Sequence, residues 1–322
     1  MKLKTIYQEI VKKGLEADIR SRKEIEELLK NKKEAFEKLS LAEKECFDAE
    51  TLTNPFADTR ILNGSPDSEI KSVIVGIDVD EAELLLVDRL KEKGTAIDLT
   101  VSHHPAGRAY AKFYEVMDLQ VDAFIKEGIS CTLSENLLKE RKAQVERRVH
   151  AANHERPVDI ARWLKLNFLC MHTPCDNLAY QHLKKLLEKE KPSTVGKIIE
   201  LLRGIPEYNH AAKNNNAPII EIGAGASRCS RIHLEFTGGT EGPQDIYDKL
   251  AAKGIDTIIA MHQSEEHFKK CKDANINVVI ASHIASDNLG VNLMLDYLES
   301  KEKIKVYEFG GFHRCPRSGK KS

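Results

Sequence analysis

The chain alternates between short apolar runs and longer stretches with helical periodicity. Ser72-Val-Ile-Val-Gly-Ile77 is almost wholly apolar, the pattern of a strand covered on both faces. Similar runs lead into His103, His172, His262 and His283, and residues 218–222 and 303–308 read as two more strands. Between them, helical stretches cover 107–126, 134–150, 158–165, 243–253 and 288–299, and Asp80-Glu-Ala-Glu83 opens a helix that Gly94 stops. Residues 191–217 read as a helix and a polar loop. Residues 1–50 place Ile6, Ile10, Leu15, Ile19, Ile25, Leu28, Leu29, Phe36 and Leu39 at helical spacing. Ser21-Arg-Lys-Glu24 and Ser40-Leu-Ala-Glu43 each offer a hydroxyl and a Glu that satisfy free amides at a helix start. Two or three helices are expected there, packed on the body or on a neighbouring subunit. Asn54-Pro-Phe-Ala-Asp-Thr-Arg60 and Asn63-Gly-Ser-Pro66 are turn-forming and set these helices apart.

The order of elements occurs twice. The strand from Ser72, the helix ending Lys93-Gly94, Ile97-Asp98 and the strand into His104 are echoed by the strand from Arg231, a helix ending Lys253-Gly254, Ile255-Asp256 and the strand into His262. Leu169-Cys-Met-His172-Thr-Pro-Cys-Asp176-Asn177 and Ile280-Ala-Ser-His283-Ile-Ala-Ser-Asp287-Asn288 share a strand running into His-x-x-x-Asp-Asn. The expected fold class is α/β: two similar lobes from a diverged duplication, with an N-terminal helical extension. Residues 1–66 form the extension, 67–190 the first lobe and 191–322 the second. Pseudo-twofold packing would bring all four strand ends to one place.

A chain of 322 residues with 41% hydrophobic content accommodates two such lobes. The net charge of -1 and pI near 6.9 provide no bulk attraction to nucleic acid or an anionic membrane, so neither is an expected partner. No apolar run approaches the ~20 residues of a membrane span, and Met1-Lys-Leu-Lys-Thr5 is not followed by a signal-peptide core. The seven cysteines are scattered, with no Cys-x-x-Cys pair, the usage of a reducing cytoplasm.

Candidate chemistry starts at Asp98-Leu-Thr-Val-Ser-His-His-Pro105. Adjacent side chains on a strand point to opposite faces, but past the strand end His103 and His104 address neighbouring points, as a two-metal site with ions about 3.5–4 Å apart requires. Each in isolation also reads as an ordinary strand-end histidine. Asp176 and Asn177 sit where helix N-caps sit, and a capping carboxylate can still turn an oxygen outward to a metal. Gly223-Ala-Gly225 lacks the continuation of a P-loop or dinucleotide fingerprint. Thr237-Gly-Gly-Thr240 reads as a tight turn with amides to offer an anion. In His262-Gln-Ser-Glu-Glu-His267, His267 and Glu265 are candidates for a proton role, with a surface helix position the plainer reading.

His103-His104-Pro105, His172-x-x-x-Asp176 and His283-x-x-x-Asp287 together resemble the signature of the NIF-three-like family, dinuclear-metal proteins also labelled "GTP cyclohydrolase type two", over about residues 70–300. The resemblance implies two α/β lobes facing each other across a cleft, hexameric rings and two divalent ions between the lobes. Its ligands would be His103, His104, Asp176, His283 and Asp287, with His172 beside them. The family usually has Glu where this chain has Asp287, one methylene shorter, which makes Asp176 the favoured bridging carboxylate. Neutral imidazoles and carboxylates suit Zn, Mn, Fe or Co without choosing among them.

Metal-assisted hydrolysis of a small nucleotide-like or heterocyclic substrate is the function these residues favour, with the cyclohydrolase label resting on resemblance. The competing reading is a non-catalytic regulatory or scaffold protein whose ions hold a cleft together. The charged N-terminal helices, outside the resemblance, motivate it.

Overall fold

The computed structural model describes residues 1–317. Part of the basic C-terminal stretch, residues 318–322, therefore lies outside the described residues. Helices α1 (Leu3–Glu16), α2 (Arg22–Glu37) and α3 (Leu41–Glu45) lead into strand β1 (Arg60–Asn63). The first lobe continues with β2 (Ser72–Gly76), α4 (Glu81–Glu92), β3 (Leu99–Ser102), α5 (Gly107–Ala111), α6 (Leu119–Lys126), α7 (Cys131–His150), α8 (Arg156–Trp163), β4 (Phe168–Cys170) and α9 (Thr173–Glu190). After α10 (Val195–Arg203) and α11 (Pro206–Lys213) come β5 (Ile219–Ile222), β6 (Ile232–Glu235), α12 (Tyr247–Ala252), β7 (Thr257–Ala260), α13 (Glu265–Asp273) and β8 (Asn277–Ile280). Helix α14 (His283–Lys301) and β9 (Lys305–Glu308) follow.

The strands form two mixed sheets, β1-β4-β3-β2-β9 and β5-β8-β7-β6. An antiparallel edge strand with one register shift flanks four parallel strands in the first sheet and three in the second. The same polar fastening recurs in both. Asp98 accepts the amides of Lys71 and Ser72, each at 2.9 Å, and Asp256 accepts those of Ser230 at 2.9 Å and Arg231 at 3.2 Å. Asn167 donates to the Asp98 carbonyl at 2.8 Å and Asn277 to the Asp256 carbonyl at 3.1 Å. Gly64 and Gly223 turn at φ of 113° and 101°, where a side chain would overlap these two asparagines.

Two features depart from the sequence reading. Strand β9, from the stretch assigned to the second lobe, crosses back to pair with β2 of the first sheet. Strand β1 lies within the expected extension; its four residues Arg-Ile-Leu-Asn carry no alternation, because Arg60 is fully buried on Asp48 and Glu50. Helix α1 packs on the body, one of the two expected placements: Leu3, Ile6 and Ile10 share a core with Val73, Val75, Leu99 and Val101. Both expected capping boxes are present, on α2 and α3.

Helices α9 and α14 lie between the sheets. Val291, Met294, Leu295 and Leu298 of α14 join the first sheet's core, while Ala285 and Leu289 join that of the second with Ala179 and Leu183 of α9. Each large apolar side chain so buried contributes about 1.5–3 kcal/mol. The two helices meet at backbone distance, where a Cβ on Gly290 would overlap the Cys175 carbonyl oxygen and lie 2.7 Å from its carbon. Asp176 and Asp287 flank this crossing. Gly290→Ala is predicted to cost about 1–3 kcal/mol, read as a lower thermal midpoint, and to reduce the bound metal measured by elemental analysis; wild-type values for both would show that the crossing has slack.

Candidate metal centre

Strand pairing continues past β3, as the amides of His103 and His104 donate to the carbonyls of Gly76 and Ile77, both at 2.9 Å. His103 Nδ1 donates to the Met171 carbonyl at 3.1 Å, which leaves Nε2 as the atom with a lone pair. That Nε2 lies 3.3 Å from Asp176 Oδ1 and 3.5 Å from Asp287 Oδ1. His104 Nδ1 is fixed by Asp78 at 2.7 Å, and its Nε2 lies 3.4 Å from Asp287 Oδ2. His283 Nε2 is 3.5 Å from the same oxygen. The structure thus brings His103, His104, Asp176, His283 and Asp287 together.

Neither aspartate caps its helix. Helix α9 begins at Thr173 with His172 as its N-cap residue, and α14 begins at His283 with Ser282 as its N-cap residue. The two His-x-x-x-Asp motifs therefore start one position apart relative to their helices and are not equivalent in register. Consequently Asp287 has one oxygen facing His103 and the other facing His104 and His283, so it takes the central place that the sequence reading favoured for Asp176. His172 stands beside the cluster, its ring 4.7 Å from that of His103 and its Nδ1 2.9 Å from Asp58.

The donor set fits a cation. His103 Nε2 and Asp287 Oδ2 are buried without a hydrogen-bond partner, although complementary atoms lie within 3.5 Å. Buried polar atoms call for a partner, and an ion held between these atoms would supply one. Three sets could hold an ion: His103, Asp176 and Asp287; His104, His283 and Asp287; and His103, His104 and His172.

Electrostatics agree. Burial disfavours charge on His103, yet the Asp287 carboxylate beside it raises the imidazole well above its usual range. His104, against the same opposing burial, is pushed up to about 9 by Asp287 and Asp78. Asp287, though buried, is held far below the usual carboxylate range by His103 and His104. Burial holds His283 low. Protons on the imidazoles thus balance the carboxylates where a metal would.

Two anchors escaped the sequence reading. Asp58, in the segment read as a turn, is fully buried and accepts from His172, from the Thr173 hydroxyl at 2.5 Å and from the Thr173 amide at 3.3 Å. Burial opposes its charge, but these donors hold it below its usual range. Asp78 follows strand β2 with no motif to mark it. The candidates His267 and Glu265 are not in the cluster. His267 spends both ring nitrogens on Ser264 and the Gly242 carbonyl, and Glu265 is exposed with Lys269 3.5 Å away. His262 is nearer, its ring 4.7 Å from that of His283.

Asp176, His283 and Asp287 of the cluster, with His172, floor a cleft walled by α6, by residues 233–237 and by Glu241, Met261 and His262. Among the described residues no helix is long and apolar enough to cross a membrane.

No family model and no curated protein matches the chain. Solved structures do. A NIF3 superfamily protein from Sphaerobacter thermophilus is 25% identical with a TM-score of 0.69, covering 80% of this chain and 92% of that one. Reduced HcgD from Methanocaldococcus jannaschii is 14% identical with a TM-score of 0.49, covering 83% and 95%. A Bacillus cereus protein related to NIF3 is 10% identical with a TM-score of 0.42, covering 80% and 92%.

The charge balance predicts a pH profile for chelator-treated protein. His104, raised to about 9, contributes stability that is complete below its ordinary 6.5 and is lost as pH rises through about 9. Asp287, lowered from 3.8, contributes stability present above that value and lost as pH falls below it. The thermal midpoint should therefore fall from about pH 6.5 toward pH 9, with His104→Ala flattening this alkaline arm, and fall toward acid as the depressed His283 and then Asp287 take up protons. A midpoint that rises from pH 6.5 to 9 would contradict this.

Proposed function

Because this chain is a NIF-three-like protein, we propose that it is a dinuclear metal-dependent hydrolase acting on a small nucleotide-like or heterocyclic substrate. The observation that carries this reading is Asp287, whose two oxygens face separate groups of histidines. His103 and Asp176 would hold one divalent cation and His104 and His283 the other, with Asp287 shared between them. Bound cations of this kind polarise a substrate oxygen and lower the pKa of water to about 7. Zn, Mn, Fe and Co all suit the donors.

The chain's own groups orient this set. Met171 and Asp78 take the Nδ1 hydrogens of His103 and His104, which fixes each ring and turns Nε2 inward. Asp58 does the same for His172 at the cleft edge. The hexameric ring implied by the resemblance belongs to the same proposal.

Purified protein is expected to carry two divalent ions per chain and to show metal-dependent turnover on a panel of nucleotides and related heterocycles. Asp287→Ala should lose both, and Asp78→Asn should weaken metal affinity about 10–100-fold. Unchanged metal and turnover in Asp287→Ala would refute the proposal. Full metal occupancy with no turnover on any substrate would favour the scaffold reading.

A further inference from the structure

The two sheets differ at one edge. In the first, β9 covers β2: Lys305 donates to the Lys71 carbonyl at 2.9 Å, Phe309 to Val75 at 3.2 Å, and Ile77 donates to Gly310 at 2.8 Å. In the second sheet β6 is the edge strand and carries no such cover. Thr257 donates to the Arg231 carbonyl at 3.3 Å, so by the two-residue alternation of a strand His233 and Glu235 also turn their main chains toward β7. Ile232, Leu234 and Phe236 turn theirs the other way. Among the described residues no strand pairs with β6 on that side, which leaves the Leu234 carbonyl and the Phe236 amide outside the ladder. An unpaired strand edge offers its main-chain N–H and C=O groups to a ligand.

This open edge faces the cleft. Five consecutive residues, His233 to Thr237, line it. A strand seen from a face would present alternate residues, so consecutive lining marks the edge. The opening is short. Before it, Thr194 bridges Arg228. After it, Gly238 and Gly239 lie against Gln120, Val116 and Phe113, with no room for a Cβ. A peptide strand could not continue past either end, whereas a flat ring could enter.

We infer that the Leu234 carbonyl and the Phe236 amide read the lactam edge of a flat heterocycle, the N–H donating to Leu234 and the C=O accepting from Phe236. Ring specificity thus comes from main chain, and the rest of the ligand extends toward His283 and Asp287 at the cleft floor. The inference rests on the proposed function, because it names how that substrate class is held, but it is tested without turnover. Ala123 on α6 lines the same cleft.

The probes are inosine, which has a lactam edge, and 1-methylinosine, which lacks the donor. Inosine titrated into ¹⁵N-labelled, metal-loaded protein should move the Phe236 amide proton downfield. 1-Methylinosine should bind about tenfold or more weakly, the loss of one hydrogen bond from a buried acceptor. Ala123→Trp should abolish the inosine response while leaving the metal content at the wild-type level. No shift at Phe236 up to millimolar inosine, equal affinity for the two nucleosides, or dimer formation through β6 that closes the edge would overturn the inference. Each of these can occur with the metals and hydrolysis intact, so its failure is distinct from failure of the metal reading.

Discussion

The backbone contact between Gly290 of α14 and Cys175 of α9 is the constraint on which the molecule depends. Each helix starts where a parallel strand of its own sheet ends, so holding the helices at this distance holds two strand ends together. The approach is reinforced on every side. Asn177 accepts from Thr237 of the second lobe at 2.6 Å and donates to the Gly14 carbonyl of α1 at 3.3 Å. Tyr208 and Ser286 share a hydrogen bond at 2.9 Å, and Asn292 binds the Cys315 amide at 2.9 Å.

With the helices fixed, the cluster's electrostatics follow from opposite charges held side by side, against a burial that opposes each of them. Two carboxylates and three imidazoles lie together there, and a buried charge must be paired. Protons serve when no cation is present, which is why His103 and His104 are raised and Asp287 lowered. Cations at the same points would satisfy the orphaned Nε2 and Oδ2 atoms directly.

Much of this was legible in the sequence. The apolar runs gave most of the strands and the capping hydroxyls gave two helix starts. The paired histidines and the repeated His-x-x-x-Asp gave all five clustered residues. What escaped depends on contacts between distant segments. Strand β1 was hidden because Arg60 and Asp58 are polar residues buried by partners that no local pattern reveals. The return of β9 to the first sheet is a matter of topology, since a short apolar strand has the same pattern in either sheet. The repeated motif concealed its own offset, because identical spacing does not fix where a helix begins. His267 sat near the strand end in the sequence, but its hydrogen bonds to Ser264 and Gly242 hold it away.

Anomalous diffraction from crystals of the purified protein, recorded at the absorption edge of whichever metal it carries, addresses the shared carboxylate directly. The account predicts two peaks, one beside His103 and Asp176 and one beside His104 and His283, with Asp287 reaching both. A single peak that excludes Asp287, or no peak at the cluster in protein saturated with zinc or manganese, would contradict it.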